Sequence, residues 1–218
     1  VYRRYEKTNL LENVRFVGNI DVGDAITISE LQDIYDAVIL AVGAPNDRNL
    51  GIEGDDKNGV IGSAAFVGWY NAHPDFVNLN PNLDIESAAV IGNGNVAVDV
   101  ARVLAKTPAE MEGSDLAQHA AEIIHSSSLK TIYMFGRRGP LEAKFTPKEL
   151  GELGALSDCV TVVNPDHLPK DTDDISPAMR KNLVHLEQFS KNKPGSKRIT
   201  LHLEFYARPH AIIGQNSV

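Results

Sequence analysis

Cysteine is nearly missing from this sequence: Cys159 stands alone. One thiol cannot close an internal disulfide, so a reducing compartment, the cytoplasm, is expected rather than a secreted one. Nor can it build a cysteine-ligated zinc site or iron–sulfur cluster, and no metal site is expected from this chain. Long apolar runs are also missing. None approaches the roughly 20 residues that cross a bilayer, and Val1 to Glu12 mix Arg, Lys, Tyr and Glu without the apolar stretch of a secretory signal. Positive charge is not in excess. Lys and Arg number 21 against 29 Asp and Glu, a net charge of −8 at pH 7 that argues against a nucleic-acid binder. Net charge leaves a local basic pocket open. No internal repeat or low-complexity tract appears.

What is there is ordinary globular composition, 43% hydrophobic and 23% charged over 218 residues, enough for one large domain or one domain and part of another. Short β-branched runs alternate with helical stretches. That pattern reads as an α/β, Rossmann-like three-layer nucleotide-binding domain with a parallel central sheet. Val14-Arg15-Phe16-Val17-Gly18 reads as a strand, and Ser29-Glu30-Leu31-Gln32 as the capped start of a brief helix. The apolar run Asp36 to Gly43 suits a strand buried on both faces. A Gly- and Asp-rich connection follows from Pro45 to Gly59.

Ala88-Ala89-Val90-Ile91 predicts the next strand, followed by the turn Gly92-Asn93-Gly94-Asn95 and a helix burying Val96, Val100, Val103 and Leu104. Thr107-Pro108-Ala109-Glu110 opens another helix with proline at its first position, and residues 114–128 read as one more. Strands are expected at Thr131 to Phe135 and Val160 to Val163, with helices opening at Thr146-Pro147 and Ser176-Pro177, the latter presenting Met179, Leu183 and Leu186. The alternation of Ile199 to Ile213 predicts antiparallel strands near the C-terminus.

The chemistry concentrates in Gly92-x-Gly94-x-x-Ala97, set between a predicted strand and a predicted helix. The first glycine permits a tight turn, the second lets a pyrophosphate approach the backbone, and the third small residue packs helix on strand. The amides of Asn95, Val96 and Ala97 then face the phosphates at a helix N-terminus. The bland alternative is a tight strand-to-helix loop and nothing more. The next strand ends in Gly136-Arg137-Arg138, where many such units carry an acid for the ribose 2′-hydroxyl. Two guanidinium groups suit a 2′-phosphate, which favours NADP over NAD. Arg137 follows Gly94 by 43 residues, against a usual spacing of about 20; the helical insertion at 107–128 accounts for the extra length. From position alone, a solvated loop would explain both arginines equally well.

Glu149 carries two readings. Three residues after Thr146, its carboxylate can reach back to the Thr146 amide as a capping box, or it can orient a guanidinium or accept a ribose hydroxyl. Glu152, a turn later, reads as an exposed helix position or as facing a nicotinamide. Trp69, Tyr70 and His73 either line a cofactor crevice or anchor a connection. His125 beside Ser126, Ser127 and Ser128 has no partnered acid and reads as loop, and Cys159 reads as packing. No side chain is staged as a catalytic nucleophile.

With these residues placed, the sequence resembles the adrenodoxin reductase family, which includes ferredoxin–NADP reductases of that type. The resemblance rests on Val14 to Gly23, Ala41 to Ala44 with Leu50 to Gly54, Phe66 to Pro74, Val90 to Arg102 and Gly136 to Leu141, in the family's order. It implies an enzyme that passes a hydride from NADPH to FAD and then single electrons to a ferredoxin- or adrenodoxin-like iron–sulfur protein. It also implies an NADP site made by Asn93, Gly94, Asn95 and Val96 at the pyrophosphate, Arg137 and Arg138 at the 2′-phosphate, and Glu149. Val22 is implied as an FAD contact.

The family's N-terminal FAD fingerprint and its C-terminal Trp- and Gly-rich segment do not occur. The expectation is therefore an excerpt of a roughly twice-longer protein: residues 1–44 a remnant of the FAD domain or hinge, 45–206 the NADP domain, and 207–218 a return segment. Such a piece is expected to bind NADP weakly, to bind no FAD and to lack diaphorase activity. Two other readings stay open. One is another two-dinucleotide flavoprotein, glutamate-synthase small-subunit-like or thioredoxin-reductase-like, the latter disfavoured by the missing Cys-x-x-Cys. The other is a non-enzymatic NADP-binding module.

Overall fold

The structure is a computed structural model that describes residues 5–44, 46–215 and 218. Pro45, the expected first residue of the nucleotide domain, lies outside them, as do Val1 to Arg4, Asn216 and Ser217 at the ends of the expected segments. The chain divides into two compact units, Val1–Ala44 and Pro45–Val218.

The first unit holds two short helices, α1 (Glu6–Asn9) and α2 (Ile28–Ile34). The brief helix is present, but its cap is Thr27, whose hydroxyl and amide exchange hydrogen bonds with Glu30 in a full capping box. The two strands expected here do not form. Residues 14–18 and 36–43 adopt no ladder, and Ile39 is 88% exposed. A strand is defined by the partner that pairs its amides, and the described residues of this unit offer only an isolated bridge between Val22 and Ile26. None of them is buried.

The second unit is built on four strands, β1 (Ser87–Ile91), β2 (Thr131–Phe135), β3 (Cys159–Val163) and β4 (Ile199–Glu204). They pair in the order β1-β2-β4-β3, every pair parallel. Helices α3 (Ser63–Tyr70), α4 (Asn95–Ala105), α5 (Pro108–Met111), α6 (Gln118–His125), α7 (Pro147–Gly154) and α8 (Pro177–Phe189) fill the connections. Proline and a Thr107–Glu110 capping box open α5, and Ser176 caps α8 by accepting from the Met179 amide. Residues 114–128 yield a shorter helix than expected.

The α/β reading holds, but the antiparallel strands expected at Ile199 to Ile213 do not. That stretch gives one parallel strand, β4, inserted between β2 and β3. The alternation has another cause. Ile199, Leu201 and Leu203 lie in the buried face with Ile132 and Met134, whereas His202 faces the half-buried side, stacked on Tyr133. A parallel sheet covered unequally on its two faces therefore imitates an antiparallel pattern. After β4 the chain turns at Tyr206, whose φ of 59° is left-handed, and pairs no further strand.

The helical phase of α4 also differs from expectation. Ala97, Val98, Ala101, Val103, Leu104 and Ala105 are buried, Val100 is partly covered, and Val96 is 52% exposed. Small alanines on the sheet-facing stripe bring the helix close to the strands, which a search for large apolar residues overlooks.

Candidate functional site

At the C-terminal end of β1 the chain makes its turn at Gly92, where φ is 142°, a value that only glycine adopts without strain. The Gly92 amide donates to the Phe135 carbonyl at 2.8 Å and ties the turn to the end of β2. Gly94 is the N-cap of α4 and offers no side-chain cap. The first amides of α4, those of Asn95, Val96 and Ala97, find no protein acceptor among the described residues, as the geometry of a helix start requires. A Cβ built on Gly94 would meet no atom within 4 Å. The turn therefore opens on free space, the cradle that a phosphate would fill.

The same turn is held from a second side. The Lys144 amide donates to the Asn93 carbonyl at 2.7 Å, and Asn95 Oδ1 accepts from the Thr146 amide at 2.8 Å. The expected capping box between Thr146 and Glu149 is thus not made: Thr146 gives its amide to Asn95, and its hydroxyl caps nothing. Glu149 is left with Oε2 buried and without a hydrogen-bond partner. A buried lone carboxylate oxygen costs free energy unless a donor reaches it.

An open cleft of roughly 390 Å³ brings together Asn93, Gly94, Arg137 and Arg138, four of the residues singled out in the sequence. Both arginines are exposed and form no ion pair among the described residues. Asn95, Val96 and Glu149 do not line this cleft. Asn95 instead spans from the start of α4 to α7. Val22 lies in the first unit, half-exposed. Sequence reasoning missed Lys144, Arg208, Leu50 and Ile52, which also line the cleft. Only the proximity of Lys144 to the arginine pair signalled it, whereas 208 and 50 are remote in sequence.

The other candidates have structural employment. Arg102 bridges Asp99 and Glu152, which binds α4 to α7 and occupies the Glu152 carboxylate. Trp69 is 1% exposed, packed on Phe66 and His119, with its carbonyl bonded to His119 Nε2 at 3.1 Å. It is an anchor, not a cleft wall. Ser127 and Ser128 hydrogen-bond Leu83 and Asp84. Burial pushes the Cys159 thiol up to about 12, so it stays protonated and packs as an apolar group. No group of three or more His, Cys, Asp or Glu residues that could hold a metal ion occurs among the described residues. No described helix is long and apolar enough to cross a membrane.

No family model matches the sequence. Individual proteins do. NADPH-ferredoxin reductase FprA of Mycobacterium tuberculosis is 40% identical over 222 residues, covering 100% of this chain and 49% of that protein. The mitochondrial NADPH:adrenodoxin oxidoreductase of Arabidopsis thaliana is 35% identical over 91% of this chain and 43% of its own length. Among solved structures, M. tuberculosis FprA in complex with NADPH superposes with a TM-score of 0.88 at 39% identity, over 99% of this chain and 48% of that one. The chain spans about half the length of the curated relatives it matches. It is related along its whole length to the adrenodoxin-reductase-type NADPH reductases.

Proposed function

We propose that this chain is the NADP-binding portion of an FAD-dependent ferredoxin– or adrenodoxin–NADP reductase. The observation that carries the reading is the cleft in which the Gly92-Asn93-Gly94 turn and the Arg137-Arg138 pair meet. Backbone amides at the start of α4 would hold the pyrophosphate, and the two guanidinium groups the 2′-phosphate, through paired charge-assisted hydrogen bonds. The space beside Gly94 suits such a ligand and admits a phosphate, whereas Glu149, its Oε2 buried outside the cleft lining, would have to turn outward to accept a nucleotide hydroxyl. In the whole reductase NADP and FAD supply the chemistry, hydride transfer from NADPH to FAD and then delivery of single electrons to a ferredoxin- or adrenodoxin-like iron–sulfur protein. This chain's residues bind and orient.

In this reading residues 1–44 belong to the FAD domain or hinge, with Val22 at the flavin, 45–206 to the NADP domain, and 207–218 to the return segment. The buried, single cysteine supports a reducing compartment such as the cytoplasm. The adrenodoxin oxidoreductases among the relatives are named as mitochondrial.

Calorimetric titration with NADP and NAD tests the reading. The chain is expected to prefer NADP, and the Arg137→Ala, Arg138→Ala double variant to lose roughly 100-fold in NADP affinity while NAD binding holds. Equal affinity of the unaltered chain for the two nucleotides would overturn it.

A further inference from the structure

The cleft is more basic than the arginine pair alone. Arg137, Arg138, Lys144 and Arg208 all line it, against a single carboxylate, Glu142. This is a local reversal of charge in a chain whose net charge is −8. None of the four cations forms an ion pair among the described residues, while Arg102 and Arg198 both do. Four like charges held around one concavity repel one another, and an anionic ligand relieves that repulsion.

Backbone hydrogen bonds fasten the two additional cations to different loops of the cleft. Lys144 is fastened to the glycine turn: its amide donates to the Asn93 carbonyl, and its backbone forms a bridge with Gly94. Its backbone is therefore anchored at the turn that leads into α4, and the residue lines the cleft there. Arg208 is fastened to the other loop. The Tyr206 amide donates to the Arg138 carbonyl at 3.3 Å and the Ala207 amide to the Gly136 carbonyl at 3.0 Å. The left-handed turn at Tyr206 directs the chain after β4 across the arginine loop. Beyond it, the Ile212 amide donates to the Glu53 carbonyl at 2.8 Å, so Arg208 sits on a segment pinned on both sides.

We propose that Lys144 is a further pyrophosphate-binding residue and Arg208 a third guanidinium at the 2′-phosphate. The assignment rests on the nucleotide reading above and deepens it. Lys144 is a point charge on a flexible stem, suited to the shared charge of a pyrophosphate. Arg208 presents a planar fork suited to a terminal phosphate dianion. Lys144 then contributes affinity common to NADP and NAD, whereas Arg208 contributes discrimination between them.

The test uses this chain with Lys144→Met and Arg208→Gln, titrated with NADP, NAD and 2′-AMP, the last carrying the 2′-phosphate without the pyrophosphate. Lys144→Met is expected to weaken NADP and NAD alike by roughly 10-fold and to leave 2′-AMP unchanged. Arg208→Gln is expected to weaken NADP and 2′-AMP by a similar factor and to leave NAD unchanged. Both side chains are exposed, so thermal midpoints should stay with the unaltered chain and separate binding from folding. The proposal is overturned if either variant binds all three ligands as the unaltered chain does, or if both weaken all three alike. A wild-type chain that does not distinguish NADP from NAD would instead remove the underlying nucleotide reading. Retained NADP affinity in the two new variants, with loss in the Arg137 and Arg138 double variant, removes only this assignment.

Discussion

Asn95 Oδ1 accepts the Thr146 amide proton at 2.8 Å, so the residue that opens α4 also secures the start of α7. The glycine turn is thereby coupled to a helix that lies 51 residues further along the chain. Asn95→Ala leaves that amide without its acceptor and should destabilise the unit by about 1 kcal/mol, with a loss of NADP affinity as the turn loosens. Asn95→Asp keeps the acceptor but sets a negative charge beside the proposed pyrophosphate, so it should preserve stability and still weaken binding. Thr146→Ala should cost well under the roughly 1 kcal/mol of an ordinary cap, because the hydroxyl caps nothing. Urea unfolding of the three variants decides between these outcomes, and equal losses for Asn95→Ala and Thr146→Ala would contradict the observed bonding.

Glu149 offers a cleaner separation of binding from folding. Its Oε2 is buried and unpartnered, so the free chain gains nothing from that oxygen. Glu149→Gln should therefore leave the unfolding midpoint unchanged or raised, while lowering NADP affinity by roughly 10-fold if a nucleotide hydroxyl donates to the carboxylate. A lower midpoint with undiminished affinity would assign Glu149 to the helix instead.

How much of this was legible in the sequence depended on whether the decisive interaction is local. The openings of α5, α7 and α8 were readable because a proline at the first helical position acts within one turn. The glycine turn was readable because Gly92 needs its φ whatever surrounds it. Two strands in residues 14–43 failed because a β ladder depends on a partner that local pattern does not reveal. β4 was misassigned because alternation reports unequal covering of a sheet, not the direction of its neighbours. At the site, Arg137 and Arg138 were visible as a pair, but Arg208 reaches them only through main-chain bonds across the fold. Asn95 displaced the expected Thr146–Glu149 box for the same reason: a long-range acceptor won the amide that a local carboxylate was expected to take.

Gly136 tests the link between the arginine loop and the glycine turn. A Cβ placed there would collide with the Asn93 side-chain amide. Gly136 does not have a left-handed φ, so alanine is acceptable to the backbone and the nearest conflict is with the Asn93 side chain. Because that amide is the end of a flexible side chain, Gly136→Ala should cost no more than about 1–2 kcal/mol of stability, while moving Asn93 within the cleft. The expected result is a folded chain with NADP affinity down by roughly 10-fold. Unaltered affinity in a folded variant would show that the position of the Asn93 side chain is irrelevant to the ligand.

Glu110 makes the stability of the second unit depend on pH. Burial acts to raise its carboxyl, but hydrogen bonds from Thr107 and Ser157 prevail and hold it at about 2, against an ordinary value of 4.5. Its carboxylate accepts from the Thr107 and Ser157 amides, each at 2.9 Å, so it joins the start of α5 to the segment leading into β3. The sign follows from the depression. The folded state favours the ionised form, so the contribution is complete above pH 4.5 and disappears as pH falls through about 2. Glu110→Gln removes the ionisable group and with it this share of the pH dependence. The stability gap between the unaltered chain and the variant should therefore be widest near neutral pH and close as the solution is acidified across that window. Urea midpoints measured for both chains between neutrality and pH 2 test this, and a gap that stays constant throughout would show that the charge of Glu110 plays no part in joining α5 to β3.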